Sequence, residues 1–165
     1  MDFRPMRRGR QALGEKEIDA ILTRGSAGTL AVLGDGGWPY AVPLSYVYHK
    51  GRLYFHCASS GHKLDAVRAC DKASFCVIDR NDVVPAEFTT RYRSAIVFGR
   101  ARIVEDPAER MDAMRALAAK YSPHESEDAF RIEMKVSGSA SLCVLALDIE
   151  YKSGKQAKEL IGKEQ

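Results

Sequence analysis

The chain has 165 residues, of which 45% are hydrophobic, 28% charged and 8% aromatic, and its 25 Lys plus Arg against 22 Asp plus Glu give a net charge of +3. That length suits one domain with a core that needs no disulfide or metal to hold it, and the hydrophobic fraction is too high for a disordered chain. The charge is an ordinary solubility level, far from the clustered basicity of a nucleic-acid binder, and no window reaches the ~18 apolar residues of a membrane span.

In chain order, residues 1–14 read as an N-terminal arm, basic and with no apolar stretch behind Arg7-Arg8-Gly9-Arg10, and so not as a secretory signal. One domain is expected over 15–151 and a charged tail over 152–165. Ile18, Ile21 and Leu22 repeat at helical spacing after Gly14, and Gly25 and Gly28 end that helix. The period then changes to that of strands. Thr29–Leu33, Trp38–Tyr48 and Leu53–Ala58 follow one another across turns at Gly34–Gly37 and His49–Arg52, which predicts an antiparallel meander.

His62–Cys70 reads as a helix and Ser74–Asp79 as a fourth strand. Arg80–Thr90, polar and holding Pro85, reads as a long loop or irregular edge. Ser94–Val104 is a fifth strand. Asp106-Pro107 opens a helix by an N-cap and a proline at its first position, carrying Met111, Met114, Leu117 and Ala118 on a core-facing side to about Lys120. Another helix is expected over Glu125–Lys135 and a sixth strand over Ser141–Tyr151. The fold class is therefore mainly β, a six-stranded antiparallel barrel with satellite helices.

The most informative stretch is Phe55-His56-Cys57-Ala58-Ser59-Ser60-Gly61-His62-Lys63-Leu64-Asp65. It runs from a strand through a small-residue turn into a helix. Such a junction aims unpaired N–H groups and the positive helix end at one point. Ser59 and Ser60 add hydroxyls, Gly61 allows close approach, and His62 and Lys63 add cationic groups, which together make a phosphate cradle. The same run also serves as an ordinary helix cap with a solvated lysine. Neither a Walker loop nor a dinucleotide fingerprint is present.

Proline inside Ala41-Val42-Pro43-Leu44-Ser45-Tyr46 removes a ladder donor and marks an edge or opening against which a flat ligand can lie. Arg91-Tyr92-Arg93-Ser94 mixes cations and an aromatic ring after a polar stretch, fit for a site mouth, a subunit interface or a solvated loop end. His56 and Cys57 point to opposite faces of a strand and cannot share one target, and ligands at zinc spacing are lacking. The four cysteines, Cys57, Cys70, Cys76 and Cys143, read as free thiols in a reducing cytoplasm. The tail lysines Lys152, Lys155, Lys158 and Lys163 read as a solvated face.

With Thr29–Val32, Pro39–Tyr48, His56–Asp65 and Val97–Ala101 in this order, the chain resembles the pyridoxamine 5′-phosphate oxidase-like FMN-binding split-barrel family, and within it the 5-nitroimidazole resistance branch. The resemblance spans roughly residues 6–150, and Phe-His-x-Ala-x-x-Gly-His-Lys-Leu-Asp is its most specific phrase. It implies a split barrel that dimerises with FMN at the subunit interface. Ser59, Ser60, His62 and Lys63 then match the phosphate turn, and Val42, Pro43, Leu44 and Ser45 the strand beside the flavin ring. His56 matches the histidine that points at the flavin and is the candidate catalytic residue, and Ser94 matches the strand completing the pocket. Tyr151–Gln156 lacks the arginine with which true pyridoxamine phosphate oxidases grip substrate, which favours a general FMN-dependent oxidoreductase acting on nitroaromatic or other small planar acceptors. With no nicotinamide fold of its own, the chain would take NAD(P)H only by transient docking. The alternatives are a flavin carrier or sensor, a haem or deazaflavin protein on the same barrel with His56 as an axial ligand, and a nucleic-acid binder using Arg4, Arg7, Arg8 and Arg10. A single barrel of this length has little interior for a whole flavin, which points to a shared site.

Overall fold

The computed structural model describes residues 3–136 and 142–162. The elements run α1 (Glu15–Arg24), β1 (Ala27–Leu33), β2 (Pro39–Ser45), β3 (Val47–His49), β4 (Arg52–Ala58), α2 (His62–Ala69), β5 (Lys72–Val84), β6 (Thr89–Ile103), α3 (Pro107–Tyr121), α4 (Glu127–Val136) and β7 (Leu142–Gln156). The strands form one antiparallel sheet in the order β2-β1-β5-β6-β7-β4-β3. Its two edge strands, β2 and β3, are consecutive in the chain with only Tyr46 between them. The sheet must therefore curl until its ends meet. β2 pairs with β1, and β4 with β3 and β7, so the ends approach across a split rather than a ladder.

Alternation fills the barrel. Leu30, Leu53, Phe55, Phe75, Val97 and Leu145 point inward and are almost wholly buried, joined by Ile21 and Leu22 of α1 and Leu64 of α2. Tyr46, Phe55 and Phe75 interlock there as tilted and edge-on rings with centroids 4.8–6.5 Å apart. A second cluster forms outside, where α3 lays Ala113 and Leu117 on Val47, Tyr54, Val144 and Ala146. No described helix is long and apolar enough to cross a membrane.

The mainly β split barrel stands as expected, with four differences in its parts. The strands number seven, because the run 38–48 is cut at Tyr46: the buried Tyr46 N–H donates to the Tyr121 hydroxyl at 2.9 Å, and that hydroxyl also lies on the Tyr46 carbonyl at 2.7 Å, so this residue leaves the ladder. Arg80–Thr90 is not a loop. β5 continues to Val84, turns through Pro85–Glu87, and returns from Thr89 as a two-stranded arm. An arm with few neighbours needs no apolar alternation, so its polar sequence hid it. The core stripe of α3 is Ala113 and Leu117, whereas Met111 is exposed. β7 runs past Tyr151 to Gln156, and Lys152 is drawn into it, donating to Asp19 at 2.6 Å and lying 3.0 Å from Glu15 instead of facing solvent alone.

The ladder between β6 and β7 shifts register at Gly99. A Cβ there would stand 2.0 Å from the Asp148 carbonyl oxygen, so the close approach of the two backbones requires glycine. At the chain start, the Leu13 N–H donates to the Gly154 carbonyl at 2.9 Å and Phe3 stacks on Tyr151 with centroids 4.6 Å apart.

Candidate functional site

The split between β2 and β4 organises the candidate site. Proline sits in a sheet where its missing N–H would point off the edge, so Pro43 turns the backbone groups of Ala41 and Ser45 toward that free edge as well. Val42 and Leu44 face the core and pack on it, and their backbone groups turn the other way, toward β1. Pro43 and Ser45 are exposed.

At one end of the split lies the turn into α2. Gly61 caps the helix at φ 127°, a conformation that L side chains rarely adopt, and it offers no side-chain cap. The first-turn N–H groups of His62 and Lys63 thus keep their donors, with the positive helix end behind them. Ser59 and Ser60 are exposed beside them. His62 stacks on Tyr40 of β2 with centroids 4.3 Å apart and lies 3.7 Å from Asp35, which ties the helix start to the far lip of the split. Lys63 is half-buried and has no carboxylate partner among the described residues. Its charge acts on the Cys57 thiol, which burial nevertheless pushes up to about 11.

At the other end a cleft of about 510 Å³ opens between the barrel and the α3–α4 pair. Ser45 and His56 both line it, with Met114, Tyr121, Phe130 and Met134. Among the described residues its wall is mostly apolar, with Ser122 and Glu133 as further polar groups, and holds no lysine or arginine. α4 is braced on α3 by Arg115, which lies 3.1 Å from Glu127 and 6.0 Å from the centre of the Phe130 ring. His56 is exposed on the outer side of β4, opposite Val144, while Cys57 turns inward opposite Cys143.

The structure thus brings Ser45 and His56 into one cleft and gathers Ser59, Ser60, His62 and Lys63 at one turn. Ser94 lies elsewhere in the chain's own fold. It sits on β6 between Ile78 and Lys155, ten positions before Val104, whose N–H donates to the Val144 carbonyl that neighbours His56. At about 3.3 Å per strand residue that is roughly 33 Å along the strand. Ser94 instead shares an outer sheet face with Pro43. Directly opposed residues share a face, and the rows Pro43–Thr29–Cys76–Ile96–Ser153 and Ala41–Ala31–Ser74–Phe98–Tyr151 carry no charge.

Sequence reasoning missed Tyr121, Phe130 and Met134. Phe130 and Met134 at i, i+4 were a legible helical pair, but nothing local said which surface they would cover. The role of Tyr121 depends on a contact with Tyr46, far away in the chain, and leaves no sequence signal.

Residues 14–156 match the family described as pyridoxamine 5′-phosphate oxidase. No curated protein matches the chain. Among solved structures, a Bacteroides thetaiotaomicron protein named for 5-nitroimidazole antibiotic resistance superposes with a TM-score of 0.72 at 20% identity, covering 88% of this chain and 86% of that one. The FAD and haem binding protein of Mycobacterium smegmatis gives 0.73 at 25% identity over 90% and 74%. The flavocytochrome Anf3 of Azotobacter vinelandii gives 0.71 at 20% over 93% and 72%. With the match spanning nearly the whole barrel and the split-barrel topology in place, the chain belongs to the pyridoxamine 5′-phosphate oxidase family.

Proposed function

We propose that the protein is an FMN-dependent oxidoreductase that works as a homodimer and reduces small planar acceptors, nitroaromatics among them. The observation that carries this reading is the split itself. It has an uncapped helix start with a Lys63 that lacks a carboxylate partner among the described residues, a free strand edge along its length, and a mostly apolar cleft holding His56 and Ser45. Lys63, His62, Ser59 and Ser60 hold the phosphate by charge-assisted bonds. The free edge of β2, with the backbone groups of Ala41 and Ser45, would receive the flat ring system. Bound flavin supplies hydride or electron transfer. His56 orients the acceptor or holds a proton near it, since an imidazole ring offers both a donor and an acceptor nitrogen.

The two uncharged rows of that outer face, with Lys155 in the neighbouring row of Ser94, support a second copy as the partner, because a protein rarely leaves such a patch open to water. Ser94 and the Arg91–Arg93 strand then complete the site across that interface. Among the described residues the cleft lining holds Glu133 and no cation, which disfavours a phosphorylated acceptor such as a vitamin B6 ester. NAD(P)H docks only transiently as reductant.

Purified protein should be yellow, with bands at about 370 and about 450 nm from the flavin. A colourless protein that takes up no added FMN overturns the reading. Bound FMN without turnover of nitroaromatics, quinones or dyes would instead make it a flavin carrier. A second reading rests on Met114 and Met134, which line the cleft with His56 and would suit haem ligation. A Soret band in place of flavin bands would establish it, and haem-binding relatives give it support.

A further inference from the structure

Cys57 and Cys143 stand directly opposite each other on β4 and β7. Opposed residues of an antiparallel pair have Cα atoms about 4.5 or about 5.5 Å apart, and either spacing falls inside the ~4.4–6.8 Å range that a disulfide accepts. Both side chains point into the barrel, and the Cys143 thiol acts on that of Cys57 by charge and by hydrogen bonding. The other two cysteines have no such partner: Cys76 faces Ile96 and Thr29 on the outer sheet face, and Cys70 ends α2.

We propose that Cys57 and Cys143 are a redox modification site, closing to a reversible cross-strand disulfide under hydrogen peroxide. The Cys57 sulfur attacks the peroxide, the O–O bond breaks, and a sulfenic acid and one water form. Cys143 sulfur then displaces the hydroxyl, so that the S–S bond forms and a second water leaves. Two thiols are oxidised, one peroxide is reduced to two waters, and the two S–H protons end in water. Cys57 reacts first because it is half-buried whereas Cys143 is 9% exposed. Opposed Cβ atoms must close slightly to reach disulfide distance, and that strain makes the bond labile to reduction.

The location gives the bond leverage. Cys57 lies one residue before Ala58 and the Ser59–Gly61 turn, and Lys63 feels its charge. Closing the bond ties the root of that turn to β7. Burial holds the thiolate scarce at neutral pH, so closure is slow there and quickens by about tenfold per pH unit toward pH 10.

The test is intact mass and peptide mapping of folded protein treated with hydrogen peroxide, thiols being blocked at the quench. The expected result is a protein carrying two blocking groups instead of four and about 2 Da lighter than the parent once those groups are subtracted, a single linked pair of peptides holding residues 57 and 143, and full return on adding dithiothreitol. A Cys70→Ser, Cys76→Ser double variant should behave identically. Gain of oxygen at Cys57 without linkage, linkage through Cys70 or Cys76, or no linkage at pH 10 in protein that keeps its native circular dichroism would each overturn the proposal. The measurement needs no serine substitution at the pair, so a folding defect cannot obscure it.

Discussion

Removing the Lys63 ammonium tests the site at its most specific point. A charge-assisted bond to a phosphate dianion is worth about 1.5–3 kcal/mol, and at 1.4 kcal/mol per decade Lys63→Ala should weaken FMN binding by roughly 10- to 150-fold. Lys63 has no carboxylate partner among the described residues, so its loss strands no acid. Stability should therefore stay within about 0.5 kcal/mol of the parent. The assay is a fluorescence titration of the apoprotein with FMN and, in parallel, with riboflavin, which shares the ring but carries no phosphate. FMN affinity should fall while riboflavin affinity holds, and the gap between the two ligands should narrow as salt rises. An unchanged FMN affinity would refute the phosphate assignment. Equal losses for FMN and riboflavin would show that Lys63 supports the turn rather than contacts the ligand.

Tyr121→Phe removes the hydroxyl that accepts from the buried Tyr46 N–H, and an unpaired buried donor costs about 1–3 kcal/mol. Urea unfolding should show that loss, and the midpoint of thermal unfolding should drop by about 2–4 °C per kcal/mol. Glu109 is held below the usual carboxylate range by hydrogen bonds from Arg102 and Tyr54. Its contribution is complete above the unfolded glutamate pKa and is lost as pH falls through the lower folded value, so Glu109→Gln should flatten the acid limb of stability against pH below about 4.5. A parallel acid limb in the variant would contradict the assignment. Gly99→Ala places a methyl against the Asp148 backbone and should cost about 3 kcal/mol or more, read as a fall in denaturation midpoint or loss of soluble protein.

The sequence was legible where periodicity and turn chemistry agree. The helix carrying Ile18, Ile21 and Leu22, the meander and the Asp106 cap stand where expected, with Asp106 accepting from the Glu109 N–H at 2.8 Å. The start of α2 was legible too, because Ser59-Ser60-Gly61 breaks the strand just before helical spacing begins at His62. The arm was hidden, since strands that project from a body carry polar side chains on both faces. The cleft was half legible. Ser45 was readable from the proline-bearing strand and His56 only from the family resemblance, while their meeting depends on the sheet closing at Tyr46, and their cover comes from Phe130 and Met134 far along the chain. Val42 and Leu44 show the other limit. A strand can be placed beside a ligand from its proline, but which side chains turn away from that ligand follows from the register with β1.

The sheet order also dictates when the site can come into being. β4, which leads into the α2 turn, pairs with β3 on one side and with the C-terminal β7 on the other. The first four strands can form their hairpins early from local contacts, but β4 gains its long ladder only after nearly the whole chain has been made. Closing so long a loop is entropically slow and delays the last pairing. A nascent or truncated chain that ends before β7 therefore has every residue of the cradle and no backing to hold it in place. The turn into α2 is therefore held in place only once β7 has joined the sheet.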